Sequence, residues 1–148
     1  MEIRKAETDD FHAIIPWIQN EQECRMWAGS KVRFPLNIDS LLNDIQYSSD
    51  NSYCLINDND IIAFGQLLPK EDGFIHMARI IVSPSYQGIG YGKIFCNRLL
   101  KIAEQLSYRK VSLYASRSNL VSINLYKKLG FKEVPEKSSQ DRCYMMRT

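Results

Sequence analysis

Three glycines at alternate positions place the strongest constraint on how this chain folds. They are Gly88, Gly90 and Gly92. An apolar run ending at Val82 precedes them, and an amphipathic segment begins at Ile89, which predicts a strand followed by a helix. Glycines at such a junction permit positive φ and let the backbone approach a ligand closely. Because the amides of a first helical turn have no partner within the helix, we expect a cradle for a phosphate group here.

Two common phosphate motifs do not fit this loop. The dinucleotide fingerprint requires G-x-G-x-x-G, whereas these glycines are spaced G-x-G-x-G. A P-loop requires Ser or Thr after its lysine, but Ile94 follows Lys93. A protein that binds ATP or a dinucleotide is therefore disfavoured. A tight turn without a ligand also explains the loop poorly, because it does not need three glycines and glycine destabilises a helix.

Composition and charge narrow the class of protein. The 148 residues are 45% hydrophobic and 24% charged, which predicts one globular domain over residues 1–148. The formal net charge is only +2 and the basic residues are scattered, so nucleic acid is not expected as a partner. No apolar stretch approaches the ~18 residues of a membrane span, and the N-terminus lacks the apolar centre of a signal peptide. We therefore expect a cytoplasmic protein with no membrane partner.

The cysteines predict neither disulfides nor a metal site. Cys24, Cys54, Cys96 and Cys143 are far apart, form no C-x-x-C pair, and have no matching run of histidines. We interpret them as reduced thiols that mostly pack as small hydrophobic side chains.

Hydrophobic periodicity predicts the order β-α-α-β-β-β-α-β-α-β-β. Helices are expected at residues 11–18, 38–45, 89–106 and 120–129, and strands at residues 2–6, 52–57, 61–68, 74–82, 110–116, 131–134 and 142–146. Pro16 predicts a kink or an early stop in the first helix, and residues 19–35 lack clear periodicity and predict an irregular loop. A strand-rich middle flanked by helices implies an α/β fold, with one mixed sheet and helices on both faces.

Two motifs resemble those of one protein family. Residues 87–92, QGIGYG, resemble the Q/R-x-x-G-x-G/A signature of the GNAT superfamily of acyl-CoA N-acyltransferases. Residues 119–131, from Asn119 through LYKKLGF, resemble the N…A…LYxKLGF segment that follows the fifth strand in that family. The resemblance implies a GNAT-like fold, in which a mostly antiparallel sheet is splayed between strands 4 and 5.

The same resemblance implies that acetyl-CoA (coenzyme A) is the cosubstrate, without a metal. Loop amides of such proteins bind the pyrophosphate, and the preceding strand pairs with the pantetheine arm through main-chain atoms. Asn119 corresponds to a residue that often contacts the cofactor, although it is equally well placed to cap the helix that starts at Leu120. The cofactor-binding residues implied in this way are Ile80, Val82, Gln87, Gly88, Ile89, Gly90, Tyr91, Gly92 and Asn119.

The implied reaction is acetyl transfer to a primary amine by direct attack in a ternary complex. The acceptor would be a small molecule or the N-terminus of a peptide or protein. Tyr126 corresponds to the tyrosine that protonates the departing thiolate in many relatives. His76 lies eleven residues before Gln87, where some relatives have a catalytic glutamate, and it is the candidate base. Ordered water is the alternative base.

A binding module of the same fold is the alternative to an enzyme. It would retain the cofactor, lack turnover, and act as a sensor or partner domain; His76 in place of glutamate is its main support. Acidic and aromatic residues such as Glu21, Glu23 and Trp27 are candidates for the acceptor wall, but none is assigned. The acceptor amine and the choice between monomer and homodimer stay open.

Overall fold

The computed structural model describes residues 1–148 and contains seven strands and five α-helices. The strands are β1 (Glu2–Lys5), β2 (Ser52–Asn57), β3 (Asp60–Pro69), β4 (Ile75–Val82), β5 (Val111–Ser116), β6 (Lys132–Glu133) and β7 (Arg142–Arg147). The helices are α1 (Phe11–Ile14), α2 (Glu21–Ala28), α3 (Ile38–Asp44), α4 (Tyr91–Gln105) and α5 (Leu120–Lys128). The strands are hydrogen bonded in the order β1-β2-β3-β4-β5-β7-β6. None of the helices combines the length and the apolar character needed to cross a membrane.

The chain divides into two compact units, and the first contains residues 1–66 and 79–95. Strands β1, β2 and β3 pair antiparallel there. The predicted polar turn joins β2 to β3 with positive φ at both Asp58 and Asn59, which matches the twist of a two-residue hairpin. Phe11 packs edge-on against Phe64 at 5.2 Å between ring centroids, at the centre of the apolar core of this unit.

The predicted loop over residues 19–35 is wrong, because it contains helix α2. The side chain of Asn20 accepts from the backbone N–H of Glu23 at 2.8 Å, and the Glu23 carboxylate accepts from the N–H of Gln19. Only Cys24 is buried on this helix, so apolar periodicity could not reveal it. An Asn followed three residues later by Glu is a helix-start signal that could have done so.

The second unit contains residues 67–78 and 96–148. Residues 75–77 of β4 pair in parallel with residues 111–113 of β5, whereas β7 pairs antiparallel with both β5 and β6. Only three residues of β4 pair with β5, although β4 runs on to Val82. The predicted mixed α/β sheet, mostly antiparallel, is thus confirmed, and β4 and β5 pair in parallel over three residues.

The ends of the helices follow local chemistry. Helix α1 ends at Ile14 and passes into a 3₁₀ turn over Ile15–Trp17, which confirms the early stop predicted from Pro16. Helix α4 begins at Tyr91 rather than at residue 89, because residues 87–90 form a turn.

A partly buried ion pair links β1 to the turn before α1. The guanidinium of Arg4 donates to both carboxylate oxygens of Asp10, at 2.8 and 2.9 Å, and the N–H of Glu7 donates to the same carboxylate at 2.7 Å. Burial by itself raises the pKa of Asp10, but the hydrogen bonds from Arg4 and Glu7 outweigh it and hold the pKa below its ordinary value.

We expect Asp10→Asn to lower the free energy of unfolding by about 2 kcal/mol at neutral pH, because the amide accepts fewer hydrogen bonds and carries no charge. A depressed folded-state pKa stabilises the protein above the unfolded value of ~3.9, and this contribution is lost as the pH falls through the folded value. Urea denaturation at neutral and acid pH measures both effects, and the cost of Asp10→Asn should shrink in acid.

Asp50→Asn is the matched control for this prediction. The Asp50 carboxylate contacts Lys5 at 3.2 Å but is 85% exposed, so its loss should cost less than about 0.5 kcal/mol. Equal costs for the two variants would contradict the role given to the Arg4–Asp10 pair.

Candidate functional site

The segment from β4 to α4 forms a closed turn. After Val82, the N–H of buried Ser83 donates to the carbonyl of Ile62 at 2.7 Å. A 3₁₀ turn over Pro84–Tyr86 follows. The side-chain amide of Gln87 then donates back to the carbonyl of Val82 at 3.0 Å. Gln87 therefore closes the turn with its side chain, which leaves its backbone N–H as the group to offer a ligand.

Two of the three glycines adopt conformations that other residues resist. Gly88 has φ +79° and Gly90 has φ +96°, and a Cβ added to either would meet nothing within 4 Å. Both positions thus require glycine because of their backbone conformation and not because a side chain would clash. The space that a Cβ would enter is open at each. Gly92 lies inside α4 and has no positive φ, which agrees with a signature that accepts Gly or Ala at this position.

Backbone N–H groups along the turn are unused. None from Gln87 to Lys93 donates a hydrogen bond within the chain, and the first to do so is that of Ile94, to the carbonyl of Gly90 at 3.3 Å. Residues 87–90 are also exposed. Consecutive free amides before and within the first turn of a 15-residue helix suit a diphosphate, because the helix dipole adds partial positive charge. The residues present therefore fit the phosphate groups of coenzyme A.

Ile80 and Val82 lie on β4 immediately before this turn, and both are half-buried. Their neighbour Arg79 has φ +53°, and its carbonyl accepts a hydrogen bond from the indole Nε1 of Trp27 at 2.9 Å. Arg79 is not among the site residues expected from the sequence, and Trp27 is among them only as a candidate for the acceptor wall. No sequence signal marks a left-handed arginine within a strand.

Tyr126 and Asn119 belong to the second unit, at helix α5. Tyr126 is 7% exposed, and burial raises the pKa of its phenol, so the group stays protonated at neutral pH. The structure gives its hydroxyl no hydrogen-bond partner, whereas the hydroxyls of Tyr47 and Tyr53 donate to carbonyls. A buried tyrosine hydroxyl usually has a partner in the protein, so this phenol is suited to donate to a ligand.

Asn119 has the capping role that the sequence indicated. Its side-chain oxygen accepts from the backbone N–H of Ser122 at 3.2 Å and so caps α5. The NH₂ of the same amide makes no hydrogen bond within the chain, which leaves it able to contact a ligand as well.

His76 lies on β4 within the second unit and is 9% exposed. Its Nδ1 is 2.7 Å from the hydroxyl of Ser112, which is fully buried. Its ring packs edge-on against Tyr114 at 5.5 Å and stacks on Tyr144 at 6.4 Å. These contacts fix the orientation of the imidazole, and its burial means that a proton acceptor here is shielded from bulk water.

Cysteine nucleophiles and metal ligands do not form a site in residues 1–148. All four cysteines are free and buried, and burial raises the pKa of both Cys54 and Cys96 to about 12, so these thiols stay protonated and unreactive. No group of three or more His, Cys, Asp or Glu side chains could hold a metal ion.

Comparison with known proteins gives one family match. The model described as the acetyltransferase (GNAT) family matches residues 11–131. This range runs from the start of α1 to the residue before β6 and includes both sequence motifs.

Several solved structures with similar folds are named as N-acetyltransferases. The PaiA N-acetyltransferase of Thermoplasma acidophilum, in complex with coenzyme A, has a TM-score of 0.78 and 22% identity over 99% of this chain and 98% of its own. The ribosomal-protein-S18-alanine N-acetyltransferase of Escherichia coli has a TM-score of 0.74 and 22% identity over 99% and 92%. A spermidine N-acetyltransferase chimera from Vibrio cholerae and hSSAT has a TM-score of 0.75 and 19% identity over 99% and 95%.

We expect Gly90→Ala to lower the free energy of unfolding by about 1 to 2 kcal/mol, because a residue with a Cβ resists positive φ. Gly92→Ala is the matched control: alanine is favoured over glycine within a helix, so this change should be neutral or stabilise by up to about 1 kcal/mol. Chemical denaturation of the two variants and the parent measures the difference. A neutral Gly90→Ala would contradict the conformational requirement at that position.

Proposed function

Because the chain belongs to the GNAT family of acetyltransferases, we propose that it transfers an acetyl group from acetyl-CoA to a primary amine. The observation that carries this proposal is the run of unused backbone N–H groups from Gln87 to Lys93 at the start of α4. A similar fold with coenzyme A bound supports the choice of cosubstrate. Two proteins of similar fold are named as acetyltransferases of spermidine and of a ribosomal protein. They support an acceptor amine that belongs to a small molecule or to a polypeptide.

In this proposal the cofactor is held mainly by main-chain atoms. The N–H groups of residues 87–92 bind the pyrophosphate. The backbone of Ile80 and Val82 pairs with the pantetheine arm as a neighbouring strand would, so their side chains need only be apolar. The free NH₂ of Asn119 contributes a side-chain contact while its oxygen caps α5.

Acetyl-CoA supplies the activated thioester, and the residues of the chain move two protons. An alkylammonium with a pKa of ~10.4 must lose a proton before it attacks, and His76 accepts it directly or through water. The departing thiolate, whose conjugate thiol has a pKa of ~8.5, is stabilised by a proton from Tyr126. Buried, protonated thiols at Cys54 and Cys96 agree with direct transfer rather than a covalent acyl-enzyme.

The proposal is tested by titrating the protein with acetyl-CoA and by measuring thiol release with polyamines, aminoglycosides and peptides with free N-termini. Binding together with amine-dependent thiol release supports it. Binding without release on any amine would favour the second candidate, a cofactor-binding sensor or partner module, which His76 in place of glutamate also favours. Folded protein that shows no affinity for acetyl-CoA would overturn both.

We expect Tyr126→Phe to lower kcat about 100-fold, because one general acid contributes a factor of about 10² or more, while the affinity for acetyl-CoA stays unchanged. Tyr53→Phe is the matched control, since Tyr53 is also 7% exposed. This substitution removes only a 3.4 Å hydrogen bond to the Asp50 carbonyl. Steady-state kinetics at saturating amine measures both variants. Equal kcat for Tyr126→Phe and the parent would remove the general-acid role.

We expect His76→Gln to lower kcat at saturating amine by about 100-fold or more, because glutamine cannot take up the proton of the acceptor ammonium. Ser112→Ala tests the orientation of the ring, since it removes the hydroxyl at 2.7 Å. An unchanged kcat in His76→Gln would assign the base to ordered water.

A further inference from the structure

One residue of β4 has a backbone conformation that strands do not favour. Arg79 has φ +53°, a conformation that is unfavourable for a residue with a Cβ. The other residues apart from glycine with positive φ are Gln46, Asp58, Asn59 and Ser107, and all of them lie in turns. Strained conformations of this kind persist only where the surroundings hold them.

Two sets of hydrogen bonds hold Arg79 in the first unit. On the main-chain side, its carbonyl accepts from the indole Nε1 of Trp27 at 2.9 Å. On the side-chain side, its guanidinium donates to the side-chain oxygen of Gln66 at 2.7 Å. Gln66 is fully buried and donates in turn to the carbonyl of Ile45 and the hydroxyl of Ser52, both at 3.1 Å. Arg79 is therefore fixed to both α2 and the core of the unit.

A left-handed residue within a strand changes the direction of the backbone groups that follow it. The groups that follow Arg79 are those of residues 80–82, the segment to which the proposed function gives the pantetheine arm. Without the indole N–H, the Arg79 carbonyl loses this partner, which favours a return towards the extended conformation that a residue with a Cβ prefers. The N–H and C=O groups after it would then point in other directions.

From this arrangement we propose that Trp27 is a positioning residue for acetyl-CoA. It acts through Arg79, because its indole N–H holds the Arg79 carbonyl and so sets the direction of the backbone of residues 80–82. Trp27 itself need not contact the cofactor. The inference rests on the proposed function, since it takes β4 to be the strand that pairs with acetyl-CoA.

Trp27→Phe tests the proposal, because it removes the N–H donor and retains an aromatic ring. We expect the Kd for acetyl-CoA to rise about tenfold by isothermal titration, as the loss of one hydrogen bond of typical net strength allows. Hydrogen exchange at the backbone amides of residues 80–82 should become faster in the same variant.

Tyr47→Phe is the matched control, because it removes a 2.7 Å hydrogen bond to the Ala6 carbonyl in the same apolar core. Its stability should fall about as far as that of Trp27→Phe, while its Kd for acetyl-CoA and its exchange at residues 80–82 stay unchanged. A purely structural role for Trp27 predicts instead that the two variants bind acetyl-CoA equally, and that result would overturn the proposal.

Substitutions at Arg79 test the same idea without changing Trp27, and they serve if Trp27→Phe does not fold. Arg79→Gly adopts positive φ freely and should bind acetyl-CoA within about threefold of the parent. Arg79→Val resists that conformation because it is β-branched, and its Kd should rise at least about tenfold. Equal Kd values for these two variants would overturn the proposal. Failure of the parent to bind acetyl-CoA would refute the proposed function itself.

Discussion

Backbone N–H groups require hydrogen-bond partners, and this requirement explains how the candidate site of this protein is built. A helix leaves its first amides without internal partners, and here the preceding turn adds further unused donors before α4. Gly88 and Gly90 make that turn possible, because both have positive φ. An anion that accepts these bonds needs no lysine cluster, which agrees with a net charge of only +2. In the proposed function, recognition of a diphosphate thus depends on the backbone rather than on side-chain charge.

The two parts of strand β4 have different surroundings. Residues 75–77 pair with β5. Within them, His76 contacts the hydroxyl of Ser112 and packs against two tyrosine rings. Residues 80–82 lie beyond that pairing and lead into the glycine turn. Arg79 stands between these parts, held in a strained conformation. In the proposed function, β4 pairs with β5 at one end and with acetyl-CoA at the other, and the change of conformation at Arg79 lies between the two parts.

The fold by itself does not specify the acceptor amine of the proposed reaction. The similar structures bear the names of a spermidine acetyltransferase and a ribosomal-protein alanine acetyltransferase, at 19% and 22% identity to this chain. Folds shared at this level carry different substrates, because specificity depends on particular side chains. In this chain, the groups proposed to bind acetyl-CoA are mostly main-chain atoms. The side chains that face the acceptor can therefore differ from those of similar proteins.

The sequence by itself determined the features that depend on neighbouring residues: the glycine turn, the hairpin at Asp58 and Asn59, the end of α1 before Pro16, and the family motifs. It missed α2, because that helix buries only Cys24 and starts through side-chain capping. Only the tertiary structure decided that Trp27 bonds to Arg79 and His76 to Ser112, pairs that are 52 and 36 residues apart. The physical reason is range: backbone preferences and periodicity act over a few residues, whereas packing decides which distant polar atoms meet.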